Sequence, residues 1–553
     1  MRITSIPQIY HHVNRWREIL SVLSRYGLAN WIGRLGPEFA KDLFRDAGGE
    51  AIARHPWRAR VRMAMAELGP TFIKLGQLLS TRPDMVGMEM ATELQQLQEN
   101  VPADLPETVR ALIAQELGQP VDKLFSDFHE HAMASASIGQ VHRARLVSGQ
   151  AVVIKVQHAD IQHKVEVDLD ILAGMATLAE RIPEFRNFRP RAMVAEFRRS
   201  LRRELDFERE LRNIQQFARD FGHDPTVRIP TVYPELSSAR VLTMELLEGT
   251  KLSDIPGLTA AGIDPDQVAH RGADIFLAMI FANGFYHADP HPGNILLMDG
   301  SVIGLLDFGM VGRIDEQLQE DITEMLLAIT NLDAEHLTSI VMRVGSVPPE
   351  LDRAALSLDV ADFVNFYANQ SLDRFDIAGA LTEMTEIFWR YGIMLPARLA
   401  LLIKVLVTLD GTVRQLSPKC SLMELMGPYR RRLLMQRLSP GRQMRKLRRL
   451  YSELEHLLRV LPRGLSEIID QVQTGRFDIH LDHRGLEPSV NRLVLGMMTS
   501  ALFLGSTLLL SRQVWPVFHE VSIFGALGAA LSLVLGLRLW QAIRKSGRLD
   551  RQH

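Results

Sequence analysis

The chain has 553 residues, of which 46% are hydrophobic and 23% are charged, and its formal net charge at pH 7 is −2. This length is too great for one ordinary hydrophobic core, so several domains are expected, and the near-zero net charge argues against a general nucleic-acid-binding protein. The single cysteine, Cys420, excludes an internal disulfide and a thiolate zinc cage, and it fits a reducing compartment.

The first part of the chain has the pattern of helices. Residues 1–60 are amphipathic and lack the apolar stretch of a signal peptide, and residues 61–130 continue as helices with breaks at Gly-Pro and Arg-Pro steps. In "GPTFIKLGQLLSTRPD" (69–84), Lys74 and Gln77 share one helix face, while apolar side chains share the opposite face. Taken alone, this segment also fits an ordinary amphipathic helix with a solvated lysine.

The middle of the chain alternates between strand and helix patterns. Residues 131–158 change period, and "QAVVIKVQ" (150–157) is short and β-branched, as expected of a strand. Residues 160–222 return to a helical pattern with dense charge, and "RVLTMELLEG" (240–249) predicts a second strand. From about residue 265 the chain is mostly helical. Strands followed by helices predict an α+β fold.

A charged segment, "RRELDFERE" (202–210), separates its acids into two groups if it forms one helix. Asp206 and Glu210 lie four residues apart and share a face, while Glu204 points away from them. The alternative is a solvated helix whose charges form pairs four residues apart.

The stretch "HADPHPGNILLMDGSVIGLLDFG" (287–309) places two carboxylates and an amide at regular intervals. Asp289 is followed five residues later by Asn294, and an apolar hairpin pattern then leads to Asp307. Carboxylate and amide oxygens are hard ligands that suit Mg²⁺. A zinc site is the first alternative, but Pro290 and Pro292 prevent His287 and His291 from lying on one helix face. A surface turn is the second, and it leaves the strand-like "SVIGLLDFG" unexplained.

The C-terminal end contains two uncharged runs, residues 493–511 and 521–537. Their lengths and small-xxx-small spacings predict two membrane-spanning helices that pack closely. Residues 430–449 contain nine Arg/Lys and no acid, and the tail is also basic, so both ends are expected to be cytoplasmic. The alternative is a buried helical hairpin in a soluble domain. The small-residue pairs are Ala501/Gly505, Gly525/Ala529 and Gly528/Ser532.

The spacing D-x₄-N, followed thirteen residues later by D-F-G, resembles the catalytic loop and metal loop of protein kinases. This resemblance implies that Asp289 is the catalytic acid and that Asn294 and Asp307 hold the metal ions bridging the phosphates of ATP. It also implies that Lys155, in "VVIK", contacts the α/β-phosphates and pairs with Glu210. The hinge residues implied for adenine, in "TMELLEG", are Glu245 and Leu247.

The differences from ordinary protein kinases limit which kinase-like families the sequence can resemble. The Gly-rich loop is absent, and an alanine-rich loop stands in its place, where each Cβ resists positive φ. Ala288 replaces the arginine of H-R-D, and a predicted helix follows D-F-G without an activation loop or an A-P-E segment. The residues expected to line the nucleotide site in this loop are Ala134, Ser135, Ala136, Ser137, Ile138, Gly139, Gln140, Val141 and His142.

Three further motifs are K-x-G-Q at 74–77, A-x-A-S at 134–137 and E-x-D at 204–206. With the two C-terminal hydrophobic segments, they resemble the UbiB/AarF atypical kinase-like family over nearly the whole chain. In that family the K-x-G-Q extension folds over the place where a protein substrate would bind. The resemblance therefore implies a lid in which Lys74 meets Glu204, with Gln77 and Asp206 beside them.

The resemblance implies a membrane-anchored ATPase or kinase-like protein that uses ATP and Mg²⁺, supports ubiquinone biosynthesis and lies on the cytoplasmic face of the bacterial inner membrane. The expected partners are membrane lipid, isoprenoid quinone precursors, ubiquinone-biosynthesis enzymes and a second copy of the chain. Alternatives are a protein kinase, a small-molecule or lipid kinase and a non-enzymatic scaffold. The expected division is amphipathic helices (1–60), K-x-G-Q extension (61–130), kinase-like N-lobe with a helical insertion (131–248), C-lobe (249–425), basic linker (426–490) and two transmembrane helices (491–540).

Overall fold

The chain forms two compact units, residues 1–443 and 444–553. The basic stretch 430–449 and most of the predicted linker lie outside the described residues. The computed structural model describes residues 12–28, 55–97, 101–181, 189–260, 262–298, 302–370, 375–418, 420–429, 486–512, 514–518 and 521–545.

Seven helices precede the first sheet in the described part of the chain. They are α1 (Val13–Arg25), α2 (Trp57–Leu68), α3 (Pro70–Ser80), α4 (Pro83–Val86), α5 (Met88–Gln95), α6 (Pro106–Leu117) and α7 (Val121–Leu124). Helix α3 begins at Pro70, where the missing N–H is tolerated, directly after Gly69 with a φ of +94°. Phe72 and Leu75 are buried in the main core, as predicted. Lys74 is largely buried too, so the alternative of a solvated lysine is wrong.

An antiparallel sheet forms the N-lobe, in the order β1-β3-β4-β6 with β2 paired to β3. The strands up to this point are β1 (Phe125–Phe128), β2 (Ala134–Ser135), β3 (Gly139–Leu146), β4 (Ala151–Gln157), β5 (Val227–Arg228) and β6 (Val241–Glu245). Strands β4 and β6 lie within the predicted ones. The helical prediction through residue 130 is wrong at β1, whose central residues are polar and whose pairing with β3 comes from tertiary structure.

Between β4 and β5, the described residues form three helices, namely α8 (Ile161–Ala179), α9 (Pro190–Glu204) and α10 (Phe207–Phe221). The prediction that Asp206 and Glu210 share a face of one continuous helix is wrong. Helix α9 ends at Glu204, and Asp206 is the N-cap of α10, where its Oδ1 accepts a hydrogen bond from the amide of Glu208 at 3.1 Å. Aspartate favours this position because its carboxylate satisfies an otherwise unpaired amide.

The C-lobe begins with a four-stranded sheet in the order β5-β10-β9-β7 and a separate pair, β8 and β11. Its elements are β7 (Thr250–Lys251), α11 (Ile255–Ala260), α12 (Pro265–Leu277), β8 (Phe285–His287), β9 (Ile295–Met298), β10 (Val302–Leu305) and β11 (Val311–Arg313). The predicted apolar hairpin is present, with Leu297 opposite Ile303 in β9 and β10. The loop between β8 and β9 carries Asp289 and Asn294, and Asp307 lies two residues after the end of β10.

A helical layer completes the first unit. It contains α13 (Glu316–Thr330), α14 (Ala334–Val344), α15 (Arg353–Ala368), α16 (Ile377–Arg390), α17 (Ala397–Leu416) and α18 (Leu422–Leu425). A second core, with Leu356, Val360 and Phe388 at its centre, holds these helices together. Strand β11 comes between D-F-G and α13, so the helix predicted after D-F-G follows a short strand. Helix α17 also contributes Leu402 and Val405 to the main core, which brings it close to the loops of the C-lobe.

The second unit contains α19 (Leu486–Ser511), β12 (Val517–Phe518), β13 (Val521–Ser522) and α20 (Ile523–Lys545). Two stretches of these helices are long and apolar enough to span a membrane, with mean hydropathies of 2.0 and 1.8, and only 6% and 11% of them are buried within the described structure. Gly525 packs against Leu510, and Gly528 packs against Ser506. Gly505 is also predicted at this contact, but a Cβ added to it would meet nothing within 4 Å, whereas the neighbouring Ser506 contacts Gly528.

Candidate functional site

Lys155 projects from β4 into the cleft between the lobes. Its Nζ lies 2.8 and 3.0 Å from the two carboxylate oxygens of Glu210 and 3.4 Å from Oδ1 of Asp307. Strand alternation sends Lys155 and Val153 to the face opposite Ile154. Helix α10 presents Glu210 from the other side, four residues after its N-cap. One cation therefore joins the sheet, the helix and the loop after β10.

Lys155, Glu210 and Asp307 shift one another's pKa values. Burial alone would lower the pKa of Lys155, but the carboxylates of Asp307 and Glu210 outweigh burial and raise it. The Lys155 ammonium holds the pKa of Asp307 well below its usual range against the opposing effect of burial, and Lys74 adds to this effect. Asp307 is thus ionised throughout the physiological range, as a metal ligand must be.

The loop after β8 is organised by a histidine. His287 is buried, its Nε2 lies 3.0 Å from the carbonyl of Leu306, and its Nδ1 accepts a hydrogen bond from the amide of Asp289 at 3.1 Å. Nε2 therefore carries the ring proton and donates a hydrogen bond to the carbonyl of Leu306. Both ring nitrogens have partners in this arrangement, which makes His287 a structural residue that positions Asp289 and leaves neither nitrogen for zinc.

Asp289 and Asn294 meet across the same loop. Nδ2 of Asn294 donates to Oδ2 of Asp289 at 2.8 Å, which directs the amide oxygen of Asn294 away from that carboxylate. His291, the other histidine considered for zinc, accepts a hydrogen bond from the amide of Gly293 at 3.1 Å. The loop therefore fixes both predicted residues, the acid and the amide, relative to each other.

The D-F-G segment is held in an unusual conformation. Asp307 has a φ of +50°, in the left-handed region that few residues other than glycine adopt, and its Oδ1 accepts a hydrogen bond from the amide of Gly309 at 3.2 Å. Phe308 is fully buried, and its ring lies edge-on to His287 with centroids 5.5 Å apart. Packing of Phe308 thus stabilises a backbone that directs Asp307 toward Lys155.

These oxygens fit a magnesium site. Mg²⁺ in nucleotide sites takes one or two protein oxygens and completes its shell with water and phosphate oxygens. Asp307 supplies a fully ionised carboxylate, and Asn294 supplies an amide oxygen directed away from Asp289. Among the described residues, no group of three or more His, Cys, Asp or Glu could hold a metal by itself.

The alanine-rich loop is a tight hairpin between β2 and β3. Ala134 and Ser135 pair with Val141 and Gln140, and the amide of Ala136 donates to the carbonyl of Gly139 at 2.8 Å. No residue from 134 to 142 has a positive φ, in agreement with the argument from Cβ. The other residues of the loop, Ser137 and Ile138, are buried.

The two faces of β3 separate the residues predicted to line the nucleotide site. Val141 lies opposite Lys155 and faces the cleft. His142 lies opposite Ile154 on the other face, where its ring stacks on Phe128 at 5.1 Å. Gln140 is on that other face too, and its Oε1 accepts a hydrogen bond from the amide of Asp104 at 2.7 Å. Any nucleotide contact of Gln140 or His142 would therefore involve the backbone.

The predicted hinge begins at the end of β6, whose last residue is Glu245. Glu245 has its side chain engaged by Arg228 at 2.6 Å and by the amide of Thr231 at 3.0 Å, and Leu247 is buried. Because the Glu245 side chain is occupied, it holds the segment in place and leaves recognition of adenine to the backbone, as the resemblance implies.

The K-x-G-Q extension reaches the cleft through α3. Lys74 forms an ion pair with Glu204 at the end of α9, which is the pairing that the resemblance implies. Gln77 is half-buried one turn further along α3. Asp206 caps α10 and lies 3.6 Å from Arg212. The lid contact between α3 and α9 is therefore present, and its role in turnover stays a prediction.

A second contact, which sequence reasoning missed, holds the extension just beyond the end of α3. Arg82 forms a bidentate pair with Asp84 at 3.0 and 2.9 Å and also donates to the carbonyl of Leu395 at 3.0 Å. Asp84 accepts in return from the amide of Leu395 at 2.9 Å. Both charged side chains are buried, so the extension is joined to the helical layer as well as to the N-lobe.

Comparisons with known proteins identify the family of the chain. The ABC1 atypical kinase-like domain matches residues 96–341, the UbiB helical domain matches 360–421, and the ABC1/UbiB kinase-like C-terminal domain matches 479–545. The probable protein kinase UbiB of Shewanella halifaxensis is 31% identical over 95% of this chain and 98% of its own length. That of Xanthomonas campestris is 32% identical over 88% and 92%, respectively.

A plant protein is similar at the same level. Protein ACTIVITY OF BC1 COMPLEX KINASE 7, chloroplastic, of Arabidopsis thaliana is 31% identical over 89% of this chain and 72% of its own length. The matches cover the N-lobe sheet, the catalytic loop, the helical layer and the C-terminal helices. The chain therefore belongs to the UbiB-type, ABC1 family of atypical kinase-like proteins.

Proposed function

We propose that this protein is a membrane-anchored, Mg²⁺-dependent ATPase that supports ubiquinone biosynthesis. The observation that carries the proposal is the convergence of Lys155, Glu210 and Asp307 next to the fixed pair of Asp289 and Asn294. These five residues supply a phosphate-binding cation, its partner, a metal-binding carboxylate, a catalytic acid and a metal-binding amide. A non-enzymatic scaffold would not require this set.

The proposed reaction transfers the γ-phosphoryl group of ATP to water. The bond between the γ-phosphorus and the bridging oxygen of ADP breaks, and a bond to the water oxygen forms. One proton of the water leaves through Asp289 and reaches solvent, so the products are ADP and inorganic phosphate. Asp307 and Asn294 would hold Mg²⁺, which would supply neutralisation of the phosphate charge. Lys155 orients the phosphates, and Asn294 holds Asp289 in place by its hydrogen bond.

The contact between Lys74 and Glu204 favours a small or hydrophobic phosphoryl acceptor over a peptide. Helix α3 lies at the cleft through Lys74 and Glu204, and only a few residues separate Asp307 from the start of α13 at Glu316. That interval is too short for the activation segment that holds a peptide in protein kinases. The proposed role is ATP-driven handling of hydrophobic quinone precursors, or regulation of the ubiquinone-biosynthesis enzymes.

The C-terminal helices support a location at the membrane, where such precursors are found. We propose that the two spans anchor the protein in the bacterial inner membrane, with the kinase-like unit on the cytoplasmic face. Membrane lipid, isoprenoid quinone precursors, ubiquinone-biosynthesis enzymes and a second copy of the chain are the proposed partners.

The fate of the γ-phosphate tests the proposal. Full-length protein in detergent would be given Mg·ATP labelled at the γ-phosphate, with and without a quinone-like phenol. We expect free phosphate as the main product, at a rate that the phenol changes and that Asp289→Asn abolishes. Transfer of the label to the phenol would identify a small-molecule kinase, and transfer to protein would identify a protein kinase. Absence of both hydrolysis and transfer would contradict an enzymatic role.

A further inference from the structure

A lysine outside the kinase-like motifs, Lys404, reaches the catalytic loop from α17. Its Nζ lies 3.5 Å from Oδ1 of Asp289, while Oδ2 of Asp289 accepts a hydrogen bond from Asn294 at 2.8 Å. The two oxygens of the catalytic acid thus have different partners. The neutral amide on one side fixes the carboxylate, and the lysine adds a positive charge on the other side.

The packing of α17 sets the position of this lysine. Leu402, Val405 and Leu406 are buried in the main core and fix the helix against the C-lobe. Two turns beyond Lys404, and on the same face, Thr412 lies 3.4 Å from the carbonyl of Pro290 in the catalytic loop. The helix therefore runs along the loop, and its contact with Asp289 is part of a longer interface.

The catalytic loop contains no cation of its own that could serve this purpose. Residues 287–294, "HADPHPGN", include no lysine or arginine. His287 uses both ring nitrogens to hold the loop, and His291 uses Nδ1 to accept from Gly293. A permanent positive charge beside Asp289 thus comes from α17, which belongs to the helical layer.

The other two lysines at the cleft are committed to carboxylates. Lys155 is within 3.0 Å of both oxygens of Glu210, and Lys74 is paired with Glu204. Lys404 makes a looser contact with Asp289, at 3.5 Å, and its side chain is 21% exposed. An ammonium group has three N–H donors, so Lys404 can bind a further anion without leaving Asp289.

We propose that Lys404 binds the γ-phosphate of ATP. The inference rests on the proposed nucleotide function and extends it to a residue outside the kinase-like motifs. Because the catalytic acid acts where the terminal phosphoryl group is transferred, a cation beside Asp289 serves that group, while Lys155 serves the phosphates nearer the nucleoside. Lys404 therefore discriminates a nucleoside triphosphate from a diphosphate.

Binding of two nucleotides to the full-length protein in detergent tests this role without relying on turnover. The probes are Mg²⁺ with the non-hydrolysable β,γ-imido analogue of ATP, and Mg²⁺ with ADP, titrated by calorimetry. Lys404→Met should weaken binding of the triphosphate analogue by about tenfold and leave ADP binding within about twofold, as expected for loss of one charge-assisted hydrogen bond. Lys404→Arg should restore most of the difference.

Arg398 provides a matched control, because it is a cation of the same helix that pairs with Asp315. Arg398→Met should leave both affinities unchanged. Equal weakening of both nucleotides by Lys404→Met, or no weakening of either, would overturn the proposal and show that Lys404 only supports Asp289. Lys404→Gln gives the same comparison if the methionine variant does not fold. If the parent binds neither nucleotide, the proposed ATPase function is wrong, and the role of Lys404 with it.

Discussion

Asp307 combines a strained backbone, a depressed pKa and contact with the site lysine, so a change at this residue tests metal binding directly. Asp307→Asn keeps the size and shape of the side chain and replaces a charged oxygen ligand by a neutral one. We expect Mg²⁺-dependent ATP binding to weaken by about tenfold or more, since one charge-assisted interaction is lost. The measurement is the rise in melting temperature on addition of Mg·ATP, with EDTA as the metal-free reference.

Asp352→Asn is the control for this change, because Asp352 caps α15 in the second core and accepts from two backbone amides. It can lower the melting temperature, but it should leave the increment given by Mg·ATP intact. An Asp307→Asn protein that Mg·ATP stabilises as much as the parent would show that Asp307 does not hold the metal.

A second prediction concerns Lys155, because its removal leaves the buried carboxylate of Glu210 without this cationic partner. Glu210 is 4% exposed, and burial raises its pKa against the opposing effect of Lys155. Without the lysine, Lys155→Met should destabilise the fold by roughly 3 kcal/mol or more at neutral pH. When the pKa of an acid is higher in the folded protein than in the unfolded chain, where it is about 4.3 for Glu, its contribution to the free energy of unfolding is fully present below the unfolded pKa. That contribution is lost as the pH rises through the folded pKa. The defect should therefore be smaller at about pH 5 than at pH 7.5.

Urea unfolding at the two pH values measures this dependence. Lys155→Met combined with Glu210→Gln is the matched control, since it removes the buried charge with its partner and should lose less stability at pH 7.5 than the single variant. A single variant with the same loss at both pH values would mean that Glu210 finds another partner or remains solvated.

The K-x-G-Q extension is held by two contacts, one from α3 and one just after α3, and this arrangement decides what a mutation within it can do. Lys74 and Glu204 join α3 to α9, while Arg82 and Asp84 join the following turn to the backbone of Leu395. Loss of the first contact leaves the second in place. The lid should then loosen over the cleft without separating from the protein.

We therefore expect Lys74→Ala to change ATP hydrolysis or acceptor choice more than ATP affinity, and to permit self-phosphorylation. Glu204→Ala should have the same effect, and the double variant should resemble either single variant. ATP affinity, hydrolysis and self-phosphorylation would be measured for all three. Arg202→Ala with Glu166→Ala is the matched control, because that ion pair joins α9 to α8 on the exposed surface. Fully additive effects would show that Lys74 and Glu204 do not act together.

The elements of the site differ in how far the sequence predicts them. Strand β4 and the hairpin of β9 and β10 follow from local apolar patterns, and the pairing of Lys155 with Glu210 follows from the family resemblance. Strand β1 cannot be predicted in this way, because its apolar and polar residues do not alternate, and its conformation is decided by its pairing with β3. The sequence does not predict the turn between α9 and α10, because one long charged helix and two successive shorter helices have the same composition.

Contacts between distant parts of the chain are the least predictable. Lys404 meets Asp289 across 115 residues, and Asp84 meets Leu395 across 311. Neither Lys404 nor Asp84 stands in a pattern that distinguishes it from an ordinary surface charge. Their partners are fixed by the packing of α17 and of the turn before it, which is tertiary information.

At the scale of the whole molecule, the helical layer contributes to the site alongside the two lobes. Helix α17 brings the cation of Lys404 to the loop after β8, and the backbone of Leu395 anchors the K-x-G-Q extension. The site is thus built from three regions, the extension, the two lobes and the helical layer, all within residues 1–443. The second unit contributes apolar helices that can span a membrane. Chemistry and anchoring are therefore separable by truncation.

A chain ending at residue 485 should fold, bind Mg·ATP and lose integral membrane attachment, because it lacks both spans. It retains nine basic residues between 430 and 449, which should still bind anionic lipid at roughly 1 kcal/mol per cation. A chain ending at residue 429 is the matched control, since it lacks this stretch. In fractionation at low and high salt, the longer chain should pellet with membranes only at low salt, and the shorter chain should stay soluble in both. Equal pelleting of the longer chain at both salt concentrations would contradict electrostatic attachment.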